Sequence, residues 1–567
     1  MRITAKCSRK LFVHDVLLIC IMGVLAACGL IYEYLLSHYA GRVIGAVETA
    51  IYTMIGLMIV SMGLGALAAK LIKDPFSGFA WLEASIAICG VSCILIIATL
   101  VSFSAVLPRV IAETFSLPPD LVPEGGLISF AHELALLTPY LFGILIGFLI
   151  GMEIPLIARV REQIYGQHLE HNVGTIYGAD YIGAGIGAAL WVSIMLGLEI
   201  TEAAVLTAIA NLAAGIVFLL YYWSNIVWRV PLLGLHGVIF LLALAVYQFG
   251  SDWTIRMTDL LYEDPVVYNN ASKYQSLTIT ERHLGPENDP LYGFYINGRL
   301  QFSSNDEHIY HSMLVYPAMS VADRQPKVLI IGGGDGLALR DVLEFEPESV
   351  TLIDLDQELV EFFSPALNMK HYRRALVQLN KQAFADSRVE IVIGDAFLEV
   401  DKLRDKAKIF DAIIVDLPDP SHPDLDRLYS SYFYQRLYSL LSANGVMAVQ
   451  STSPYHAKKA FISIGKTIAA AGFPHVEQYR QNIPSFGEWG WTVASKQKMS
   501  VRRRLLAMKS FSIEDHWLTR DLAIASFEFP KDFFQDDDDV RINTLGTNQI
   551  YQYHSEAWTS ELGLYLD

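Results

Sequence analysis

At 567 residues the chain is too long for one ordinary domain, and 53% hydrophobic residues is high for a soluble protein. The net charge of −17 argues against the basic footprint that a nucleic-acid partner requires. All five cysteines lie at or before Cys93, so the remaining chain offers no disulfide, thiol nucleophile or cysteine metal site.

The apolar residues are concentrated before about residue 249. Seven runs there, at roughly 12–36, 50–70, 80–104, 130–156, 175–197, 202–222 and 230–249, approach the length needed to cross a bilayer core. We read 1–250 as a multi-pass transmembrane domain whose partner is the lipid membrane. Arg2, Lys6, Arg9 and Lys10 precede the first run and favour an inside N-terminus. The fifth run is glycine-rich and carries Asp180, which leaves open an even number of spans or a re-entrant segment. Glu33, Glu133, Glu153 and Asp180 fall in or beside apolar runs, where acids are costly: they sit at interfaces, pair with one another, or line a polyamine or proton path. The small-residue stretches "SMGLGALAAK" and "GAGIGAAL" suit close helix packing.

Residues 1–249 hold 11 Lys and Arg against 15 Asp and Glu, a balance of −4, leaving −13 for the remainder. This acidic half divides into a small β-rich subdomain at 251–320, a Rossmann-like α/β domain at 321–500 and a C-terminal extension at 501–567. In the first, "KYQSLTITER" and "LYGFYINGRLQFSS" alternate as strands, with "INGR" as a hairpin turn. "NDEHIYHSMLVYPAM" follows as a helix, with Asp306 placed to cap it. The acidic run Asp536–Asp539 reads as a solvated loop.

From Lys327 onward, strands and helices alternate. "KVLIIGGGDG", "SVTLIDLD", "RVEIVIGDAF", "FDAIIVDLPDP" and "GVMAVQSTS" are short apolar strands of the kind found in a parallel sheet covered on both faces. Four of them end on acids: Asp335, Asp354 with Asp356, Asp395, and Asp416. Ligands of such sheets bind at the carboxyl ends of the strands, so these acids converge on one crevice. Asp354 is suited to the two hydroxyls of a ribose, and Asp395, followed by Ala396, to an adenine edge.

Asp335, Asp416 and Asp419 remain without an adenosine role. Three more carboxylates in one crevice repel one another unless the ligand is cationic. The glycines of "GGGDG" permit close approach, but Asp335 within them disfavours a phosphate and favours an ammonium or sulfonium. In "DLPDP", Pro418 and Pro420 fix the chain past the strand. Asp416 can then act as general base for an amine while Asp419 holds a second charged nitrogen.

At these motifs the soluble half resembles the polyamine aminopropyltransferases, the spermidine and spermine synthases. The matching stretches are Tyr274–Ser276, Ile296–His311, "GGGDG", "IDLD", "GDAF" and "DLPDP", covering roughly 265–500, and the whole chain resembles the membrane-anchored bacterial branch. The resemblance implies decarboxylated S-adenosylmethionine as co-substrate and putrescine or a related polyamine as acceptor, giving spermidine and methylthioadenosine. It calls for no metal and no prosthetic group, and it implies a homo-oligomer, a dimer or larger. It assigns Gln275 and His311 to donor or product, Tyr310 to the polyamine, and Asp335 to the donor's ammonium. Asp354 falls to the ribose, Asp395 and Ala396 to adenine, Asp416 to catalysis as base, and Asp419 with Gln450 to the acceptor amine.

Several positions depart from the family pattern. Ser312 replaces the usual acid after Tyr-His, Tyr316 a common histidine, and Ile483 a tyrosine before Pro-Ser. Glu488, Trp489 and Trp491 are placed to rebuild the acceptor pocket. Two rival readings are a methyltransferase using S-adenosylmethionine, which leaves Asp335 and "DLPDP" unexplained, and a polyamine sensor or transporter without turnover, which leaves Asp416 unexplained. Because the donor is made inside cells, the catalytic half is expected on the cytoplasmic side of the cell membrane.

Overall fold

The computed structural model describes residues 5–44, 47–115, 126–165, 172–272, 274–285, 288–322, 326–535 and 539–561. The chain forms two units, Met1–Asp264 and Pro265–Asp567. Among the described residues, seven helices of the first unit are long and apolar enough to cross a membrane: Phe12–Gly41, Ala50–Leu71, Pro75–Ala112, Thr138–Tyr165, Gly174–Gly197, Ile200–Tyr221 and Arg229–Asp259. The apolar run expected at 130–156 is split. A short helix, Leu127–Leu136, precedes Thr138–Tyr165, because Pro139 has no N–H to continue the upstream ladder and its ring crowds the preceding turn. Glu133 therefore lies on the short helix and is exposed. The last helix continues through Gly250 to Asp259.

Close packing within this unit depends on glycine. A side chain at Gly65 would collide with the Phe148 carbonyl, and one at Gly183 with the Gly23 carbonyl. Both glycines come from the small-residue stretches. Glu153 is buried, and so is Glu83, an acid that sequence pattern did not single out; Glu83 accepts a 2.8 Å bond from Asn211.

The second unit opens with an antiparallel sheet of β1 (Val266–Ala271), β2 (Ser276–Arg282), β3 (Leu291–Ile296) and β4 (Arg299–Ser303). Asn297 and Gly298 turn the β3–β4 hairpin with positive φ, as "INGR" requires. The main sheet contains β5 (Lys327–Gly332), β6 (Ser349–Asp354), β7 (Val389–Ile393), β8 (Phe410–Asp416), β9 (Leu441–Gln450), β10 (His475–Ile483) and β11 (Gly487–Ser495). Its order is β10-β11-β9-β8-β5-β6-β7.

Strands β5 to β9 run parallel, and the β10–β11 hairpin adds antiparallel to β9, so the sheet is mixed. This is the Rossmann-like α/β arrangement, extended by a hairpin. Val328 to Ile331 and Ala412 to Val415 have no exposed surface, in keeping with helices on both faces; each fully buried Val, Leu or Ile contributes about 1.5–3 kcal/mol. Because β5 has β6 on one side and β8 on the other, the strand order reverses there and opens a crevice at the carboxyl ends. The acidic run Asp536–Asp539 falls largely outside the described residues.

Candidate active site

The crevice is built around the turn after β5. Gly332, Gly333 and Gly336 have φ of 80°, 66° and 77°, values that favour glycine. A side chain at Gly332 would strike the Asp416 carbonyl, and one at Gly334 would come within 2.7 Å of Asp354 Oδ2. The turn thus lies against the ends of both neighbouring strands. Gly333 N donates to the Asp416 carbonyl at 3.0 Å, and Gly394 N to the Asp354 carbonyl at 2.8 Å.

Asp335 Oδ1 accepts from Leu337 N at 2.9 Å, which steadies the carboxylate at the start of the following helix. Asp416 Oδ1 accepts from the Tyr310 hydroxyl at 2.8 Å. His311, Asp335 and Asp416 each present a polar atom within 4.8 Å of the others. Burial pushes the Asp335 carboxyl upward, against the pull of His311. Burial likewise raises Asp416, to about 6, while His311 and the Tyr310 bond restrain the rise. Asp354, buried and bonded to Asp356 N at 2.8 Å, is pushed up to about 7 chiefly by burial.

Sequence pattern gave no role to the supports beneath His311. Its Nδ1 contacts Glu307 Oε2 at 2.9 Å and the Glu307 carbonyl at 2.8 Å. Glu307 also accepts from Arg340 at 2.7 and 3.1 Å, and Arg340 Nε donates to Asp341 at 2.7 Å. Burial opposes charge on His311, but the Glu307 carboxylate outweighs it and lifts the imidazole to about 9. Burial also opposes charge on Glu307, yet His311 and Arg340 hold it down at about 2. The i,i+4 spacing of Glu307 and His311 was the available signal. Asp306 stands at the N-cap position of this helix, as expected, but its side chain makes no capping bond. Its Oδ2 instead accepts from Ser485 N at 2.6 Å, in the β10–β11 turn.

On the other side of Asp416, Gln450 Nε2 donates to the Leu417 carbonyl at 2.9 Å and Tyr429 Oη at 2.7 Å, and reaches Asp419 Oδ1 at 3.5 Å. Asp419 Oδ2 lies 3.3 Å from His554 Nε2. Asp395 caps the helix Ala396–Asp405 through Phe397 N and pairs with Arg427 at 2.9 Å. Ala396 opens that helix and is buried. Gln275 meets Ser272 through its backbone, and the Ser272 hydroxyl donates to Asp356 at 2.5 Å.

The departures from the family pattern also find partners. Ser312 donates to Asp515 at 3.1 Å, and Tyr316 packs on Phe345 and Phe511. Asp515 and Phe511 both belong to the C-terminal extension. Trp491 is fully buried, with its ring 5.6 Å from Tyr310 and 5.7 Å from Tyr479. Trp489 packs on Phe486, and Glu488 pairs with Arg480.

A family model described as "Spermine/spermidine synthase domain" matches residues 307–504. The chain is 55% identical to the polyamine aminopropyltransferase of Shewanella oneidensis, over 99% of this chain and 98% of that one. It is 30% identical to the polyamine aminopropyltransferase of Oceanobacillus iheyensis, over 94% and 96% of the two chains. A crystal structure of spermidine synthase with the transition-state analogue AdoDATO is 28% identical, with a TM-score of 0.40, covering 48% of this chain and 86% of that one. With relatives of that identity along nearly its whole length, the chain belongs to the polyamine aminopropyltransferases, and the protein is a transferase.

Proposed function

We propose that the protein transfers the aminopropyl group of decarboxylated S-adenosylmethionine to putrescine or a related polyamine, with Asp416 as general base. The observation that carries this reading is the pairing of Asp416 with the Tyr310 hydroxyl, beside Asp335 and His311. Two carboxyls, Asp335 and Asp416, converging with one imidazole, His311, suit a cationic donor and a cationic acceptor. A methyltransferase gives Asp335 and Asp419 nothing to hold.

In the reaction the acceptor nitrogen attacks the aminopropyl carbon bonded to sulfur. The C–N bond forms, the C–S bond breaks, and its electron pair returns to the sulfonium as a neutral thioether. The attacking amine must be neutral, so Asp416 accepts or orients its proton, and a carboxyl near 6 is poised for that at neutral pH. Asp335 is assigned to the donor's ammonium, Asp354 to the ribose and Asp395 with Ala396 to the adenine. Gln275 and His311 line the donor side. Tyr310, Asp419 and Gln450 face the acceptor. Arg427, now on Asp395, must share or release that carboxylate when adenine binds.

The seven apolar helices support a multi-pass anchor in the cell membrane. The catalytic unit is assigned to the cytoplasmic side, where the donor is made, and the assembly to a homo-oligomer. The function is tested by incubating detergent-purified protein with the decarboxylated donor and a panel of amines, then identifying products by mass spectrometry. Spermidine and methylthioadenosine in equal amounts from putrescine are expected. Methylated amine, or no product from any amine, would contradict the assignment.

A further inference from the structure

We propose that His554, on the C-terminal helix Gln549–Glu561, is a positioning residue for the acceptor amine, acting through Asp419. The inference rests on reading Asp419 as an acceptor-side acid. His554 lies beyond residue 504, where the family match ends, so that match assigns it no role. It is 1% exposed, and its Nε2 stands 3.3 Å from Asp419 Oδ2. Gln450 approaches the other oxygen. The carboxylate is therefore held from two elements, β9 and the C-terminal helix, and cannot rotate freely to meet an incoming ammonium. Holding it in one orientation favours an amine of one geometry over others.

The helix that carries His554 is itself pinned to the loop after β8. Asp426 Oδ1 accepts from Tyr551 N at 2.8 Å in the first helical turn, and Asp426 Oδ2 accepts from Asn543 Nδ2 at 2.6 Å. Asn543 O accepts from Ser431 N at 2.8 Å, and its Oδ1 from Gln549 N at 3.0 Å. Asp426, Asn543 and Ile550 are each at most 1% exposed. One turn beyond Ile550, His554 is delivered to Asp419. The network fixes the helix against the same loop that carries "DLPDP".

The test compares the full-length protein with His554→Ala, His554→Gln and His554→Asn, measuring kcat and KM for amine and donor separately, with thermal unfolding of each variant. Glutamine keeps a donor nitrogen at nearly the reach of Nε2; asparagine keeps polarity but falls short. Loss of one hydrogen bond to a charged group predicts that the amine KM rises about tenfold or more in the alanine and asparagine variants. Donor KM should hold, kcat should change less than amine KM, and glutamine should restore most of the loss. An amine KM within about twofold of the parent in a folded His554→Asn protein would overturn the proposal. So would a parallel loss in both KM values that glutamine does not rescue, which would make His554 purely structural. A parent protein that transfers no aminopropyl group to any amine would instead overturn the functional reading, and this inference with it.

Discussion

At the scale of single residues, the account depends on Asp416 and what holds it. Asp416→Asn removes the proposed base and should lower turnover by about 10²–10⁴-fold, while donor affinity measured by calorimetry stays near the parent's. Undiminished turnover would remove Asp416 from the chemistry. The base must be ionised, so kcat/KM should rise with pH through about 6. The Tyr310 hydroxyl bonds the carboxylate and favours its charged form. Tyr310→Phe should therefore move that limb to higher pH, and the difference between the two profiles cancels the acceptor amine's own titration. The acids at the strand ends were legible because each terminates a short apolar run. Glu307, Arg340 and His554 were not, since their roles come from contacts between elements distant in sequence.

At the scale of elements, the helix Glu307–Met319 and the helix after the glycine turn are joined by the Glu307–Arg340 pair, which also sets the charge of His311. Breaking a buried pair by removing one partner costs about 3–5 kcal/mol, so Glu307→Gln should lower the unfolding free energy of the catalytic unit by that much and shift its unfolding midpoint downward. The pH dependence has a definite sign. His311 is raised to about 9 from an unfolded value near 6.5, so its contribution is full below about 6.5 and lost as pH rises through about 9. Glu307 is depressed to about 2 from about 4.3, so its contribution is full above about 4.3 and lost as pH falls through about 2. Asp354 and Asp416, raised by burial to about 7 and about 6, themselves cost stability as pH rises from about 3.9 through those values, so in thermal unfolding the His311 contribution is read from the decline between about 6.5 and 9. Glu307→Gln should flatten the alkaline decline; an unchanged slope would place the titration elsewhere. The alternating β strands and the glycine turn were readable from local pattern. The β10–β11 hairpin was not, and its turn, 179 residues away, takes the Asp306 side chain from capping while Asp306 keeps the N-cap position.

At the scale of the whole molecule, the apolar runs were legible because membrane-length helices need little besides composition. Their ends were less so: Pro139 divides one run, and the last helix continues nine residues past Gly250, to Asp259. The C-terminal extension showed a helical stretch at "YQYHSEAW" but no chemical motif, yet Asp515, Asn543 and His554 all bond to residues of the catalytic half. Seven membrane-crossing helices from an inside N-terminus would leave the catalytic unit outside, whereas its donor is made inside. A reporter fused after Asp264 decides between them: activity of a cytoplasm-specific reporter is expected, and activity of only a periplasm-specific one would contradict the assignment.

If the crevice is acidic because it serves a cationic donor, Asp335 meets an ammonium that carries no neighbouring carboxylate. Methylthioadenosine release from full-length protein with putrescine, with decarboxylated S-adenosylmethionine set against S-adenosylmethionine itself, decides this. Release from the decarboxylated donor alone, with Asp335→Asn narrowing the discrimination, is the predicted result. Comparable release from both donors, or discrimination untouched by Asp335→Asn, would contradict the account.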